Sequence, residues 1–348
     1  MAMRNSEPIV AISSNSKLEG GSLVYRKYAP LATELRSRGV RAIGLHGKSD
    51  YVSGCEFSAY YEFAGEGFVK RNDTIGVDAT RDLTGGIARY TNVAALNPQA
   101  TRDAVSSKKT QIDILRQSGL DLMPQTFFVE SDDDVAIADA LTAIEGDKVI
   151  LKPEISQAGL NVISGTKSEV AARIGEYRAS KRQGSGLMLV QKYMPDIKEP
   201  FSADLRFMPN EADNVSDIAN NEIRVHVVDE EPVLFHGKTS IKGSEYDYHD
   251  SQLVFFDQDY WPPHVYELAR TAARAFRVYT GDKDSYLTFD FTPSGRMMTE
   301  VNGKNPVAIA EREPDEAGYE THVIWKDMLA GKLASIAKRE YAKRKGER

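Results

Sequence analysis

The chain has 348 residues, 41% hydrophobic and 27% charged, a composition that argues for two or three packed lobes and against wholesale disorder. Its formal net charge of -7 argues against the large positive field of a general nucleic-acid binder. A single cysteine, Cys55, rules out an intramolecular disulfide, and no stretch approaches the ~18–20 apolar residues that a membrane span needs.

Met1 to Pro8 is polar and lacks a signal-peptide core, so the expected setting is cytoplasmic, with no membrane partner. Pro8-Ile9-Val10-Ala11-Ile12 is an apolar run that predicts a buried parallel strand. After a polar loop, Ser13 to Gly21, Tyr25, Tyr28, Leu31 and Leu35 recur at helical spacing, and Gly39 supplies the stop. Val40 to Leu45 is the next strand, an order that opens a parallel sheet covered by helices. Residues 46–95, with many aromatics among glycines, read as strands and loops that close a first lobe over 1–96.

The pattern changes at Asn97. Ser106 and Ser107 can cap a helix that carries Ile112, Ile114 and Leu115 and stops at Gly119. Ser131 to Asp134 can cap a second, with Val135, Ala138, Leu141 and Ile144 on one face. Lys148 to Lys152 and the residues around Asn161-Val162-Ile163 predict two strands. Thr166-Lys167-Ser168-Glu169 is a capping box, and Leu187 to Gln191 is a strand ending a helix-plus-antiparallel-sheet unit over 97–190.

The last unit, 191–348, holds two hairpins. One runs from Glu222 to His236 and turns near Asp229-Glu230-Glu231-Pro232. The other runs from Tyr286 to Asn302 and turns at Thr292-Pro293-Ser294-Gly295. Between them Pro263 starts a helix through Leu268, Ala272 and Phe276 that ends at Gly281. The basic tail after Leu333 reads as a solvated terminal helix.

Chemistry concentrates in the second hairpin. Period-2 geometry puts Glu300 and Asn302 on one face of their strand, and an even register across the turn brings Asp290 to the same face. Two carboxylates and an amide oxygen make a hard, all-oxygen site of the kind magnesium prefers; the bland alternative is a polar sheet face dressed for solvent. Lys108 opens the first helix of the middle unit. Lys152 ends an apolar strand before a loop containing Ser156 and Gly159, where a nucleotide phosphate can be met by the ammonium and by loop amides. Arg224 and Lys238 lie one on each arm of the first hairpin and offer a bidentate and a point-charge contact to phosphate.

In this order the pieces resemble the ATP-grasp superfamily. The residues that carry the resemblance are Lys108 before a helix ending Ser118-Gly119-Leu120-Asp121-Leu122, then Ile150-Leu151-Lys152-Pro153 and Val190-Gln191-Lys192-Tyr193. Glu222-Ile223-Arg224-Val225 with Glu231-Pro232-Val233 comes next, then Leu287-Thr288-Phe289-Asp290-Phe291 and Glu300-Val301-Asn302. The branch most resembled is that of glutathione synthetase and the ribosomal-protein glutamate ligases. The resemblance implies a mixed α/β (α+β) fold: an N-terminal parallel α/β lobe, a central helix-plus-antiparallel-sheet lid and a C-terminal α+β lobe.

The resemblance also implies that ATP phosphates are held by Lys108 and Lys152, the adenine edge by backbone from Gln191 through Lys192 to Tyr193, and the ribose by Glu199. Asp290, Glu300 and Asn302 would ligate magnesium, or manganese in its place, and Arg224 would stabilise charge on the transferred phosphoryl group. The implied activity is ligation of a carboxylate to an amine through an acyl-phosphate. Its partners would be ATP and a small-molecule or peptide substrate, and a homo-oligomer is left open.

Two departures matter. The lid loop of the family carries several glycines, whereas Glu154 to Asn161 keeps only Gly159; and Asp204-Leu205-Arg206, in an insertion over Phe201 to Ala219, offers a rival to Arg224. An ATP-grasp-like kinase and a nucleotide-binding regulatory protein are the alternatives, and retention of all three metal-ligand candidates argues against the second. Ala42-Ile43-Gly44-Leu45-His46-Gly47-Lys48-Ser49 resembles a relaxed P-loop but lacks its first glycine and a following helix.

Overall fold

The computed structural model describes residues 6–13, 18–19, 22–23, 28–46, 50–65, 67–82, 87–155, 162–180, 187–192, 218–241, 252–255, 262–292, 295–303 and 319–346. The apolar run at the start is β1 (Ile9–Ser13), buried at every residue. β2 (Leu18–Glu19), β3 (Ser22–Leu23), β4 (Arg41–Leu45), β5 (Tyr51–Ser53) and β6 (Glu56–Phe57) follow, and then β7 (Tyr60–Ala64), β8 (Gly67–Arg71), β9 (Ile75–Gly76), β10 (Ala79–Asp82) and β11 (Ala94–Ala95). The helices among them are α1 (Ala29–Ser37) and α2 (Ile87–Tyr90).

Eight of these strands form one sheet in the order β11-β10-β1-β4-β7-β8-β3-β2. β1 is parallel to β4 and β10, and β10 to β11, whereas β7 and β8 pair antiparallel. The difference lies in the connections. α1 is long enough to carry the chain back for a parallel neighbour, but β7 and β8 follow each other closely in sequence, and Gly65 at φ 70 lets the chain reverse after β7. Tyr51–Ser53 is a strand where a P-loop would need a helix, which removes that reading.

The middle unit begins with α3 (Gln99–Ser106), a helix the sequence pattern did not single out, and α4 (Lys108–Gln117). Ser107 caps α4 by accepting the Thr110 N–H at 3.1 Å, and Gly119 at φ 77 follows its end. β12 (Thr126–Glu130), β13 (Lys148–Pro153), β14 (Ile163–Thr166) and β15 (Leu187–Lys192) form an antiparallel sheet in the order β12-β15-β13-β14. It is covered by α5 (Asp134–Ala143), α6 (Lys167–Ala172) and α7 (Ile174–Ser180). α6 carries the predicted capping box between Thr166 and Glu169. On α5 the buried stripe is Ile137, Ala140, Leu141 and Ile144, while Val135 is exposed. Two helical stripes overlap in this sequence, and the bulkier one at i, i+3, i+4 and i+7 is the one that packs.

The third sheet, antiparallel throughout, contains β16 (Ile218–Val228), β17 (Glu231–Ile241), β18 (Gln252–Phe255), β19 (Tyr286–Phe291) and β20 (Met298–Asn302), in the order β18-β17-β16-β19-β20. One face presents Ile223, Val225, Val227, Leu287, Phe289, Phe291 and Val301 to α8 (Pro263–Thr280), α3 and α4. The opposite face carries the polar residues described below.

α9 (Tyr319–Lys345) is packed along one side rather than simply solvated. Leu329, Ala330, Leu333, Ala334, Ile336 and Ala337 join β1, α1 and the β16–β17 hairpin in a common core. The abundance of Lys and Arg hides this apolar stripe in the sequence. Arg344 further docks the helix, 2.7 Å from the buried Asp78. Among the described residues no helix is long and apolar enough to cross a membrane.

Candidate functional site

The polar face of the third sheet is set by register. Arg224 on β16 lies opposite Asp290 on β19, Asp290 opposite Glu300 on β20, and Thr288 opposite Asn302. Residues directly opposite on antiparallel strands project to one face, so Asp290 and Glu300 share it as expected. The turn alone does not set this register: beside it Phe291 pairs with Met298, and a one-residue shift is needed to bring Glu300 opposite Asp290. A bulge falls between Asp290 and Phe291, just beyond the acids.

Asp290 is almost fully buried. Arg224 donates to both its oxygens, from Nε at 2.5 Å and from Nη2, and Asn302 donates its amide N–H at 3.2 Å. Glu222, two residues before Arg224 on the same face, brings a second carboxylate within 3.6 Å of the guanidinium. Burial works against the charge on Arg224, but Asp290, with Glu222 and Glu300 behind it, more than offsets this and raises its pKa. Asp290, Glu300 and Asn302 together present two carboxylates and an amide oxygen, hard donors that suit magnesium. Among the described residues no group of three or more His, Cys, Asp or Glu side chains is placed to hold a metal, so this set depends on Asn302.

The cations come from the neighbouring elements. Lys108 is buried at the start of α4, and its backbone N–H and its ammonium both face the carbonyl of Glu154 at 3.4 Å. The Ser107 hydroxyl donates to the Glu154 carboxylate, which ties the end of β13 to the cap of α4. Burial lowers the pKa of Lys108, with Glu300 and then Glu154 opposing. Lys152 on β13 is brought down to about 8 by burial and then by repulsion from Lys108, again with Glu300 opposing. Two mutually repelling ammonium groups with one acid between their fields describe a site that gains from an added anion.

Gln111 joins the two halves. From α4 its side-chain amide donates to the Val301 carbonyl at 3.0 Å and accepts the Val301 N–H at 3.1 Å. This satisfies the open edge of β20 and fixes the helix that carries Lys108 against the strand that carries Glu300 and Asn302. Asn97 does similar work from the other side, bonding both the N–H and carbonyl of Tyr286 at 2.6 Å and the Gly303 carbonyl at 2.5 Å. Sequence reasoning missed Glu222, Glu154, Gln111 and Asn97 as site residues. The only signal was for Asn97, a turn-former before Pro98, and it sits at φ 59.

Of the remaining candidates, Lys238 stands opposite Glu222 in the β16–β17 register. Gln191 is buried on β15 and its amide donates to Thr126 at 2.9 Å. Lys192 donates from its backbone to Gln125 and from its ammonium to Glu145 at 3.0 Å. Ser156, Gly159, Tyr193 and Glu199 lie outside the described residues, as does Arg206.

No protein-family model matches the chain, and no curated protein does. Solved structures do match. The chain is similar to a RimK-domain ATP-grasp protein of Sphaerobacter thermophilus at 15% identity, over 94% of this chain and 98% of that one, with a TM-score of 0.57. It is similar to D-alanyl-alanine synthetase A of Vibrio cholerae at 12% identity, over 96% and 100%, with a TM-score of 0.60. The macrocyclase MdnC of Microcystis aeruginosa, bound with precursor peptide MdnA, is similar at 15% identity, over 95% and 99%, with a TM-score of 0.56. The fold of the chain is the ATP-grasp fold.

Proposed function

We propose that this ATP-grasp chain is an ATP-dependent ligase that joins a carboxylate to an amine, with an amino acid or peptide as substrate. The observation that carries the reading is the cationic pair of the buried Lys108 and Lys152, both within the field of the Glu300 that stands opposite Asp290. Phosphoryl transfer is mostly a matter of positioning and charge stabilisation, and this arrangement offers both.

A carboxylate is a poor acylating agent, so on this reading it first attacks the γ-phosphoryl group of ATP, and ADP leaves. Lys108 and Lys152 hold the phosphates. Asp290, Glu300 and Asn302 would hold magnesium, which when bound draws negative charge off the phosphate oxygens. Arg224, oriented between Asp290 and Glu222, meets the charge that develops on the transferred group. An amine then attacks the acyl-phosphate carbon and inorganic phosphate leaves, in a site that must exclude water to protect that intermediate. Residues 1–96 would serve as the substrate unit, 97–190 as the lid and 191–348 as the catalytic unit. Backbone from Gln191 to Tyr193 and the carboxylate of Glu199 would take the adenosine.

Among the similar structures, MdnC is bound with a precursor peptide and PsnB with a minimal precursor, Mg and ADP, while DcsG is a D-cycloserine synthetase. Peptides and small molecules both belong in the test. ATP turnover with magnesium is measured across acids, amino acids and short peptides, for the natural chain and Glu300→Ala. ADP release that needs an acid and an amine together, and that the variant loses, supports the ligase. Transfer of phosphate to one acceptor with no amide product would make the chain a kinase.

A further inference from the structure

The polar face of the third sheet does not end at Asp290. Along β19 Tyr286, Thr288 and Asp290 alternate with Leu287, Phe289 and Phe291 and project to that face, where Tyr286 packs with Val228, Leu234 and Leu333 and its hydroxyl meets His226 Nδ1 at 2.6 Å. Over the Tyr286 end lies the first lobe, and it places an arginine there. Arg81, on β10 beside Ile12 of β1, is 1% exposed, with its guanidinium carbon 5.1 Å from the Tyr286 ring centroid. Among the described residues neither Nη1 nor Nη2 has a hydrogen-bond partner. Arg102 lies nearby, its Nε donating to the Asn97 carbonyl at 2.7 Å and its Nη2 to the Asp82 carbonyl at 2.6 Å. Its Nη1 has no hydrogen-bond partner and stands 3.7 Å from the Asp82 carboxylate. The Thr288 hydroxyl is fully buried and also lacks a hydrogen-bond partner among the described residues.

These orphaned groups are of one chemical kind. Three guanidinium nitrogens and a hydroxyl, all able to donate, stand where the first lobe meets the sheet face. Among the described residues the two arginines share one nearby carboxylate, Asp82, so a positive charge is left over. A ring face compensates only part of a buried guanidinium, and burial pulls the Arg81 pKa down, with Tyr286 and Tyr28 opposing. Buried charges are ordinarily paired, and buried donors ordinarily bonded. The location also fits a ligand, because Arg81 sits near the carboxyl end of a parallel strand, where open α/β sheets take their ligands.

We propose that Arg81, with Arg102 and Thr288, recognises an oxyanion, a carboxylate or a phosphate, carried by the substrate whose other carboxylate reacts beside Asp290. The inference rests on the ligase reading and narrows its substrate class to acids with a second anionic group. Tyr286 and Asp290 are four residues apart on one strand, roughly 13 Å at ~3.3 Å per residue. The distance calls for an extended acid of two or three residues, about 7–11 Å long. A compact monocarboxylate cannot span it.

The test is a thermal titration of the full chain, free of nucleotide and magnesium and at constant ionic strength. The probes are acetate, glutarate and inorganic phosphate. The variants are Arg81→Met, Thr288→Val and, as a surface control, Arg116→Gln. The natural chain and Arg116→Gln gain melting temperature saturably with glutarate or phosphate, and whichever acts more strongly identifies the anion as carboxylate or phosphate. Thr288→Val weakens that response several-fold. Arg81→Met loses it and, without anions, melts no lower than the natural chain, because an uncompensated cation has been removed.

The proposal is overturned if no probe stabilises the natural chain more than Arg81→Met. It is equally overturned if Arg81→Met fails to fold or melts far below the natural chain, for then the guanidinium is holding the fold together. Mg-ATP turnover separates the two readings. An Arg81-dependent anion response without any ligation sinks the ligase and spares the site, whereas ligation with an acid KM unchanged in Arg81→Met sinks the site alone.

Discussion

Arg224 and Asp290 stand directly opposite each other on adjacent strands and close a bidentate pair, with the Asp290 side chain 1% exposed and that of Arg224 11%. The pair does two jobs. It neutralises a carboxylate proposed to hold magnesium, and it fixes the guanidinium proposed to meet the transferred phosphoryl group. Removing one partner leaves a buried charge without its main counterion, so Asp290→Ala is expected to cost about 3–5 kcal/mol by denaturant unfolding. Glu300 is less buried and is outside that pair, so Glu300→Gln is expected to cost under ~1 kcal/mol. Both substitutions abolish magnesium-dependent turnover. Equal losses of stability would contradict this division between a structural and a purely functional acid.

Lys152 makes the site pH-dependent. Its folded pKa of about 8 lies below the ordinary 10.5, so the cost of burying its charge is felt in full below pH 8. The chain gains stability from this group as pH rises from 8 to 10.5, by at most about 3 kcal/mol at ~1.36 kcal/mol per unit, and less where water reaches the ammonium. A bound phosphate raises that pKa again. ATP binding near pH 8 is therefore accompanied by proton uptake, read as a buffer-dependent heat in titration calorimetry. Lys152→Met removes the uptake; an uptake that persisted in the variant would place the titrating group elsewhere.

Asn97 and Gly303 set the end of β20. Asn97→Ala breaks the side-chain bonds to Tyr286 and Gly303 and leaves an alanine in left-handed backbone, for an expected loss of about 2–4 kcal/mol. A Cβ at Gly303 would meet Val105 at 2.9 Å and Leu287 at 3.2 Å, both in the core, so Gly303→Ala is expected to cost about 1–3 kcal/mol. Because Asn302 precedes Gly303, that variant also raises the magnesium requirement of turnover. Unchanged magnesium dependence would show that the strand end is not coupled to the metal ligands.

The face shared by Glu300 and Asn302 was legible because period-2 geometry is a local rule, whereas Asp290 stands opposite Glu300 only because a bulge corrects the register that the turn sets, and a bulge has no local signature here. Lys108 and Lys152 were legible as positions, at a helix start and a strand end. Their shared field with Glu300 is a tertiary fact. Gln111 and Asn97 escaped because a polar residue that satisfies a distant strand edge carries no local signature. Arg81 escaped for a stronger reason: arginine is rarely buried, so its burial appears only once its guanidinium is placed against the Tyr286 ring of β19. α9 was misjudged because its cations outnumber the small apolar residues that pack it.

The central claim is tested most directly with a substrate acid labelled with 18O in its carboxylate, incubated with magnesium, ATP and an amine. An acyl-phosphate route places one labelled oxygen in inorganic phosphate for each amide bond formed, and Glu300→Ala forms neither product. Amide formation with no label in phosphate, or label retained on a phosphorylated acceptor without an amide, would contradict it.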